Sequence, residues 1–204
     1  MLKLKKIAIT GGVASGKSAV CQFFQELGAY VVSADAIVHK QLSSKTNLGQ
    51  QVLQLFGPEI LEDGMISRRK LAEKVFQNPH QLEALERLLH PAVLNEIEEH
   101  YKRACEADRY TLFVAEIPLL YEIGAEDAYD VIVAVLADEQ IAKARFEQAG
   151  FQPHEYDRRM SRQANPTLKA KKADYILTNN GSLAQLRQEV LKLNSILHKE
   201  SQFS

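Results

Sequence analysis

Cysteine is scarce, and neither sign of charge is in excess. Cys21 and Cys105 are the two cysteines of a 204-residue chain, too far apart for any metal-ligand or redox spacing. Lys and Arg number 25 against 26 Asp and Glu, a formal net charge of −1. That balance argues against broad nucleic-acid binding, which rests on a marked basic excess, but leaves room for one local basic pocket. No apolar run approaches the roughly 18 residues of a membrane span. The first apolar stretch, Ile7 to Ile9, is too brief for a signal-peptide core. Internal repeats and low-complexity tracts are missing too. What remains is an ordinary globular composition, 46% apolar and 25% charged, in a length suited to one compact domain with an inserted lobe. The expected protein is reduced, soluble, cytoplasmic and monomeric, with no nucleic-acid or membrane partner.

Short apolar runs alternate with longer helical patterns, which predicts an α/β fold on a mainly parallel sheet. Strands are expected at Lys6–Thr10, Ala29–Ser33, Leu112–Ile117, Asp130–Leu136 and Asp174–Thr178. Most read as continuous apolar segments, as strands covered on both faces do. A helix is expected from Gly16 to Leu27, ended by Gly28, and a closing one from Leu183 to Leu197. Between the second and third strands lies a gap far longer than the dozen or so residues a crossover needs. Leu82, Leu85, Leu88, Leu89, Val93, Leu94, Ile97 and Tyr101 give it helical periodicity, with the leucines as lobe core, and Pro91 is expected to end or kink that pattern near His90. The expected organisation is a nucleotide-binding core (1–35, 103–142 and 173–204), a helical lobe (36–102) and a basic second insertion (143–172).

Gly11-Gly12-Val13-Ala14-Ser15-Gly16-Lys17-Ser18 fits G-x-x-x-x-G-K-[ST] in full, directly after a strand and opening a helix. Such a loop turns successive backbone N–H groups into one concavity, and the helix N-terminus adds to its pull on phosphate. Lys17, expected in a solvent-facing loop, then reaches the β- and γ-phosphates, and the Ser18 hydroxyl ligates Mg²⁺. G-x-G-x-x-G is absent, because Gly11, Gly12 and Gly16 have the wrong spacing, so a dinucleotide-binding reading fares worse. The loop alone fits a kinase, a GTPase, a motor or an ATP-sensing module.

Carboxylates at strand ends narrow the choice. Asp35 follows the second strand, at the sheet edge where ligands bind in open α/β folds, and reads either as a reacting group or as a helix cap. Glu116 ends the third strand, as a Mg²⁺ partner or as an ordinary acidic residue before a loop. Asp138 reads as an N-cap. Cys21, on the helix after the loop, reads as core, and His90 as either a packed histidine or a ligand contact. Arg158, Arg159, Arg162, Lys169, Lys171 and Lys172 form a solvated charged face or a lid.

An ordered series of motifs runs along nearly the whole chain: the phosphate loop, Ser33-Ala34-Asp35, Asp63-Gly64 through Arg68, Leu71 and Val75-Phe76, Leu88-Leu89-His90-Pro91, Ile117-Pro118-Leu119-Leu120-Tyr121-Glu122, Arg159 through Gln163, and Ala173-Asp174 through Asn179 and Gly181. In this order the chain resembles the dephospho-coenzyme A kinase family. The resemblance implies a P-loop kinase fold with a five-stranded parallel sheet flanked by helices, an inserted substrate lobe and a basic lid. It implies transfer of the ATP γ-phosphoryl group to the ribose 3′-hydroxyl of dephospho-coenzyme A, with Mg²⁺. Asp35 is then the general base, and Arg68, His90 and Pro91 line the acceptor side. Gly12 to Ala19 hold the phosphates, Asn179 and Gly181 lie near adenine, and lid arginines such as Arg145 and Arg159 cover the transferring group.

Departures from the family pattern are also expected to matter. Ser33 replaces the first Asp of Asp-Ala-Asp, and Ala14 and Ala19 stand where Gly and a hydroxyl residue are usual. Lys143 and Glu147 occupy the usual arginine positions of the lid helix, so the lid charge is expected at Arg145, Arg159 or Arg162. The rival readings are another small-acceptor P-loop kinase, for a nucleoside, nucleotide or polyol, and a regulatory module that binds ATP without turnover.

Overall fold

The computed structural model describes residues 4–76 and 78–201, so the chain ends included in the expected core boundaries lie outside the described residues. The strands are β1 (Lys6–Gly11), β2 (Tyr30–Ser33), β3 (Leu61–Glu62), β4 (Met65–Ile66), β5 (Phe113–Glu116), β6 (Val131–Leu136) and β7 (Tyr175–Thr178). The helices are α1 (Lys17–Glu26), α2 (Ala34–Gln41), α3 (Asn47–Phe56), α4 (Arg68–Phe76), α5 (Pro79–Glu106), α6 (Glu139–Gln148), α7 (Pro153–Met160), α8 (Pro166–Lys172) and α9 (Leu183–Ser201). The five expected strands form one parallel sheet in the order β2-β5-β1-β6-β7, while β3 and β4 make a separate antiparallel hairpin.

Alternation along the central strands explains how the sheet is covered. Ile7, Ile9, Val114, Val131, Val133 and Val135 project to one face, where Val20, Cys21 and Phe24 of α1 and Leu186, Val190 and Leu193 of α9 bury them. The other face carries small residues in register, Ala8 beside Ala115 and Thr10 beside Ala134. Small side chains let α8 lie close against β1 and β6. There too the Tyr101 ring meets Phe113 edge-on at 5.3 Å. The loops after the C-terminal ends of β1, β5, β6 and β7 therefore open at one edge, where open α/β sheets place their ligands.

Residues up to Val32 and from Tyr101 onward form one compact unit, and Ser33–His100 form another. The second has its own core, in which Val52, Phe56, Ile60, Leu71, Val75 and Leu85 pack together. Its hairpin turns at Asp63-Gly64, with φ of 51° and 77°, the two positive values a two-residue type I′ turn requires.

Of the two outcomes expected at Pro91, an end or a kink, the first does not occur: α5 runs for 28 residues with Pro91 inside it. A proline removes a single amide donor, whereas Leu85, Val93 and Ile97 are buried on both sides of it at helical spacing. Burial of that stripe outweighs the missing bond.

Candidate active site

The loop between β1 and α1 owes its shape to two glycines. Gly11 has φ 143°, and a Cβ there would lie 2.2 Å from the Val135 carbonyl oxygen. Gly16 has φ 102°, and its Cβ would fall 2.1 Å from Asn179 Nδ2. Any side chain at either place would push the loop off the sheet edge or expel Asn179. Val13 packs with Ala142, Phe146 and Tyr156, so the loop leans on α6 and α7. A Cβ at Gly12 would lie 3.2 Å from Pro166 Cγ and 3.8 Å from Met160 Sδ.

Lys17 is not in a solvent-facing loop, as the sequence suggested. It is the first residue of α1 and is buried. Its Nζ donates to the carbonyls of Gly12 at 2.6 Å and Gly11 at 3.1 Å. The reason is geometric: the loop wraps around the ammonium, and its carbonyls are the nearest acceptors for a charge that cannot stay bare once desolvated. Beside it, Ser18 Oγ donates to Glu116 Oε1 at 2.8 Å, so the hydroxyl after Lys17 and the carboxylate ending β5 are neighbours. Ser15 Oγ is buried with no hydrogen-bond partner. Cys21 is core as expected, its thiol pushed well above the usual range by burial, then by the Glu116 charge.

Asn179 lies past the end of β7, buried, and its Nδ2 donates to the Ser15 carbonyl at 2.9 Å. Arg145 of α6 points at the same turn, donating to Asn179 O at 2.8 Å. Gly181 O accepts a longer bond from Arg145, at 3.5 Å. Asp138 is the N-cap residue of α6, though its side chain makes no capping bond and its N–H donates to Asn180 Oδ1 instead.

The lid segment shows how charge is distributed. Lys143, at a usual arginine position, pairs with Glu139 at 2.8 Å and Asp157 at 3.2 Å, and these hydrogen bonds raise its pKa. Arg159 is exposed, its guanidinium over the Phe146 and Phe151 rings at 5.1 and 4.6 Å. Glu147 and Arg162 are also exposed. A cavity of about 610 Å³ opens among Glu139, Tyr156, Asp157, Met160 and Pro166.

One feature escaped the sequence reading. Lys169 is fully buried, donating to Pro118 O at 2.5 Å and pairing with Glu122 Oε1 at 2.8 Å. Burial pushes its ammonium below the ordinary lysine range, against the opposing pull of Glu122. Glu122 also accepts from the Ala164 N–H at 2.7 Å, and Thr10 Oγ1 reaches the same Pro118 carbonyl at 3.3 Å. Lys169 is thus no member of a solvated face. It fastens α8 to the segment after β5.

The remaining expected site residues belong to the unit 33–100. Asp35 is exposed in the first turn of α2, whose N-cap residue is Ser33, so Asp35 is not the cap. Arg68 opens α4 and is exposed, while its neighbour Arg69 pairs with Glu73 at 3.0 Å. His90 is half-buried and Pro91 exposed within α5. Among the described residues no helix is long and apolar enough to cross a membrane.

A family model described as dephospho-CoA kinase matches residues 5–185. A dephospho-CoA kinase of Protochlamydia amoebophila is 47% identical over 195 residues, covering 95% of this chain and 96% of that one. Among solved structures, a Thermus thermophilus protein superposes with a TM-score of 0.81 at 29% identity, over 96% of this chain and 99% of that one. The dephospho-CoA kinase from Campylobacter jejuni superposes at 0.70 and 28% identity, over 96% and 98%.

Proposed function

Given that the chain belongs to the dephospho-CoA kinase family, ATP-dependent kinases that phosphorylate dephospho-CoA to give CoA, we propose the roles its residues play. The phosphates of ATP lie in the concavity of Gly12 to Ala19, where backbone N–H groups and the N-terminus of α1 meet negative charge. Lys17 leaves the Gly11 and Gly12 carbonyls for the β- and γ-phosphates. Its charge there offsets what builds up on the oxygens during transfer. Asp35 accepts the proton of the ribose 3′-hydroxyl, and Arg68, His90 and Pro91 hold the acceptor. Asn179 and Gly181 form the turn beside adenine. Arg159 and Arg162 supply the lid charge, because Lys143 already has two carboxylate partners.

A divalent cation fits this site. The Ser18 hydroxyl and Glu116 carboxylate are hard oxygen donors already 2.8 Å apart. Mg²⁺ is the ion such donors suit, and it would supply charge neutralisation at the phosphates. We place the enzyme in the cytoplasm, a reading supported by its two free cysteines.

The observation that carries the proposal is the pairing of Ser18 with Glu116 beside the buried Lys17, at the end of the sheet. Incubation with Mg-ATP and dephospho-CoA, read by mass for the gain of one phosphate, tests it. Phosphorylation of a nucleoside or polyol in preference to dephospho-CoA would overturn the acceptor. Nucleotide binding with no acceptor modified would favour a regulatory module.

A further inference from the structure

We propose that Arg145 and Asn179 are positioning residues for nucleotide binding, acting as one relay that fixes the phosphate loop from outside it. The inference rests on the ATP-site reading above and concerns which residues hold that site in shape.

The argument starts from Asn179. It is 3% exposed, and each of its polar groups has a partner within the protein. Its N–H donates to Leu136 O at 2.7 Å, which ties the turn to the end of β6. Its Nδ2 donates to Ser15 O at 2.9 Å, in the middle of the phosphate loop. Its carbonyl accepts from Arg145 Nη1 at 2.8 Å, and its Oδ1 from Arg145 Nη2 at 3.4 Å. The bonds below 3 Å carry most of the weight, and the longer ones orient the guanidinium. A side chain so committed acts on the nucleotide through the loop it holds rather than by reading adenine.

Gly16 supplies an independent observation. Its missing Cβ is what admits the Asn179 amide, since a Cβ would lie 2.1 Å from Nδ2. The glycine before Lys17 therefore serves this contact as well as the turn. Arg145 completes the relay from α6. Its fork meets two carbonyls and an amide oxygen of the turn, and an ammonium could not span them. Engagement there also means that Arg145 could reach the transferring phosphate only by releasing the turn.

The test measures ATP dissociation constants at equilibrium, ATP and acceptor KM, kcat, and melting temperature. The variants are Arg145→Ala, Arg145→Lys, Asn179→Ala and the alanine double variant. Loss of a charge-assisted bond predicts ATP affinity about ten- to a hundred-fold weaker in Arg145→Ala. Asn179→Ala should fall at least as far, and the double variant should be little worse than Asn179→Ala, because a broken relay cannot be broken twice. Acceptor KM should hold, and kcat at saturating ATP should fall less than affinity. Arg145→Lys should recover only part of the loss, and it serves if Arg145→Ala does not fold. Three results overturn the proposal: a large fall in kcat with ATP affinity intact, which makes Arg145 a catalytic cation; fully additive losses; or a lowered melting temperature with nucleotide affinity unchanged. The readout is ATP affinity, so it stands apart from the acceptor. Wild type that binds ATP but leaves dephospho-CoA unmodified would sink the functional reading while leaving the relay measurable.

Discussion

Ala14 sits at φ 53° inside the phosphate loop, a left-handed conformation that disfavours a Cβ. The family usually has glycine there, and the sequence alone gave no sign that the departure carries a backbone cost. Left-handed geometry costs an L residue roughly 1–2 kcal/mol, partly offset because glycine gives up more freedom on folding. Ala14→Gly should therefore stabilise the protein by about 0.5–1 kcal/mol, a rise of roughly 1–4 °C in Tm for a chain of this size. A lower Tm in thermal denaturation would show that Ala14 packing against the Val13 cluster outweighs the strain. Lys17 sets a second case. Its burial means that Lys17→Ala removes two internal hydrogen bonds as well as the charge facing phosphate. Turnover should be almost abolished, and about 1–3 kcal/mol of stability should go too if the bonds matter to the folded loop. Normal turnover in a folded variant would end the phosphate-loop assignment.

At the scale of elements, strands were the most legible part of the sequence. Each of the five sheet strands lies within a residue or two of its expected range, because buried parallel strands need unbroken apolar runs and little else supplies them. The lobe hairpin was not seen, although Asp63-Gly64 carries its turn chemistry in plain view. Two-residue strands are too short for alternation to register. Pro91 does not end its helix for the opposite reason: the local tendency to stop was overridden by burial beyond its reach. Pro91→Ala should restore one helical hydrogen bond in α5 and raise stability by roughly 1–3 kcal/mol, the scale of an interior proline's cost. If Pro91 also shapes the acceptor side, the KM for dephospho-CoA should rise while that for ATP holds. A destabilised variant would mean that α5 depends on the proline itself. The ion pair of Lys169 with Glu122 was invisible because nothing in sequence links two residues that meet only once α8 docks. Lys169→Ala leaves a carboxylate and a carbonyl short of their donor and should cost about 3 kcal/mol, or roughly 6–12 °C. The side chain of Glu122 retains 19% exposure, which holds the figure to the low end of buried-pair losses. Replacing both partners by apolar residues, Lys169→Met with Glu122→Leu, should recover most of the loss. A double variant as unstable as the single would show that the Ala164 and Pro118 contacts, not the charge, secure α8.

For the molecule as a whole, the proposed roles divide between the two compact units. Lys17, Ser18, Glu116, Arg145 and Asn179 belong to one, and Asp35, Arg68, His90 and Pro91 to the other. Motif order in the sequence led to the expectation of a lobe distinct from the core, and the chain does divide into two units. What motif order could not foretell was which partner each side chain takes, since that depends on packing between distant segments. The division makes Asp35→Asn the sharpest test of phosphoryl transfer against nucleotide binding. The change keeps size and most hydrogen bonding and removes the group proposed to accept the 3′-hydroxyl proton. General-base catalysis contributes about 10²–10⁴-fold, roughly 3–5 kcal/mol of barrier at 1.36 kcal/mol per decade. Turnover should fall by that factor, while equilibrium ATP affinity stays near wild type because every residue of the phosphate loop is untouched. Acceptor affinity should hold or rise slightly, since a neutral amide repels an anionic substrate less than a carboxylate does. If Asp35 serves only as a first-turn charge on α2, the outcome differs in kind. Ser33 is the N-cap residue, so the asparagine would forfeit only about 0.3–1 kcal/mol of helix-dipole stabilisation, visible as a small drop in Tm with kcat preserved. A folded Asp35→Asn enzyme that keeps most of its turnover would remove Asp35 as the base and leave Glu116 or solvent to take the proton.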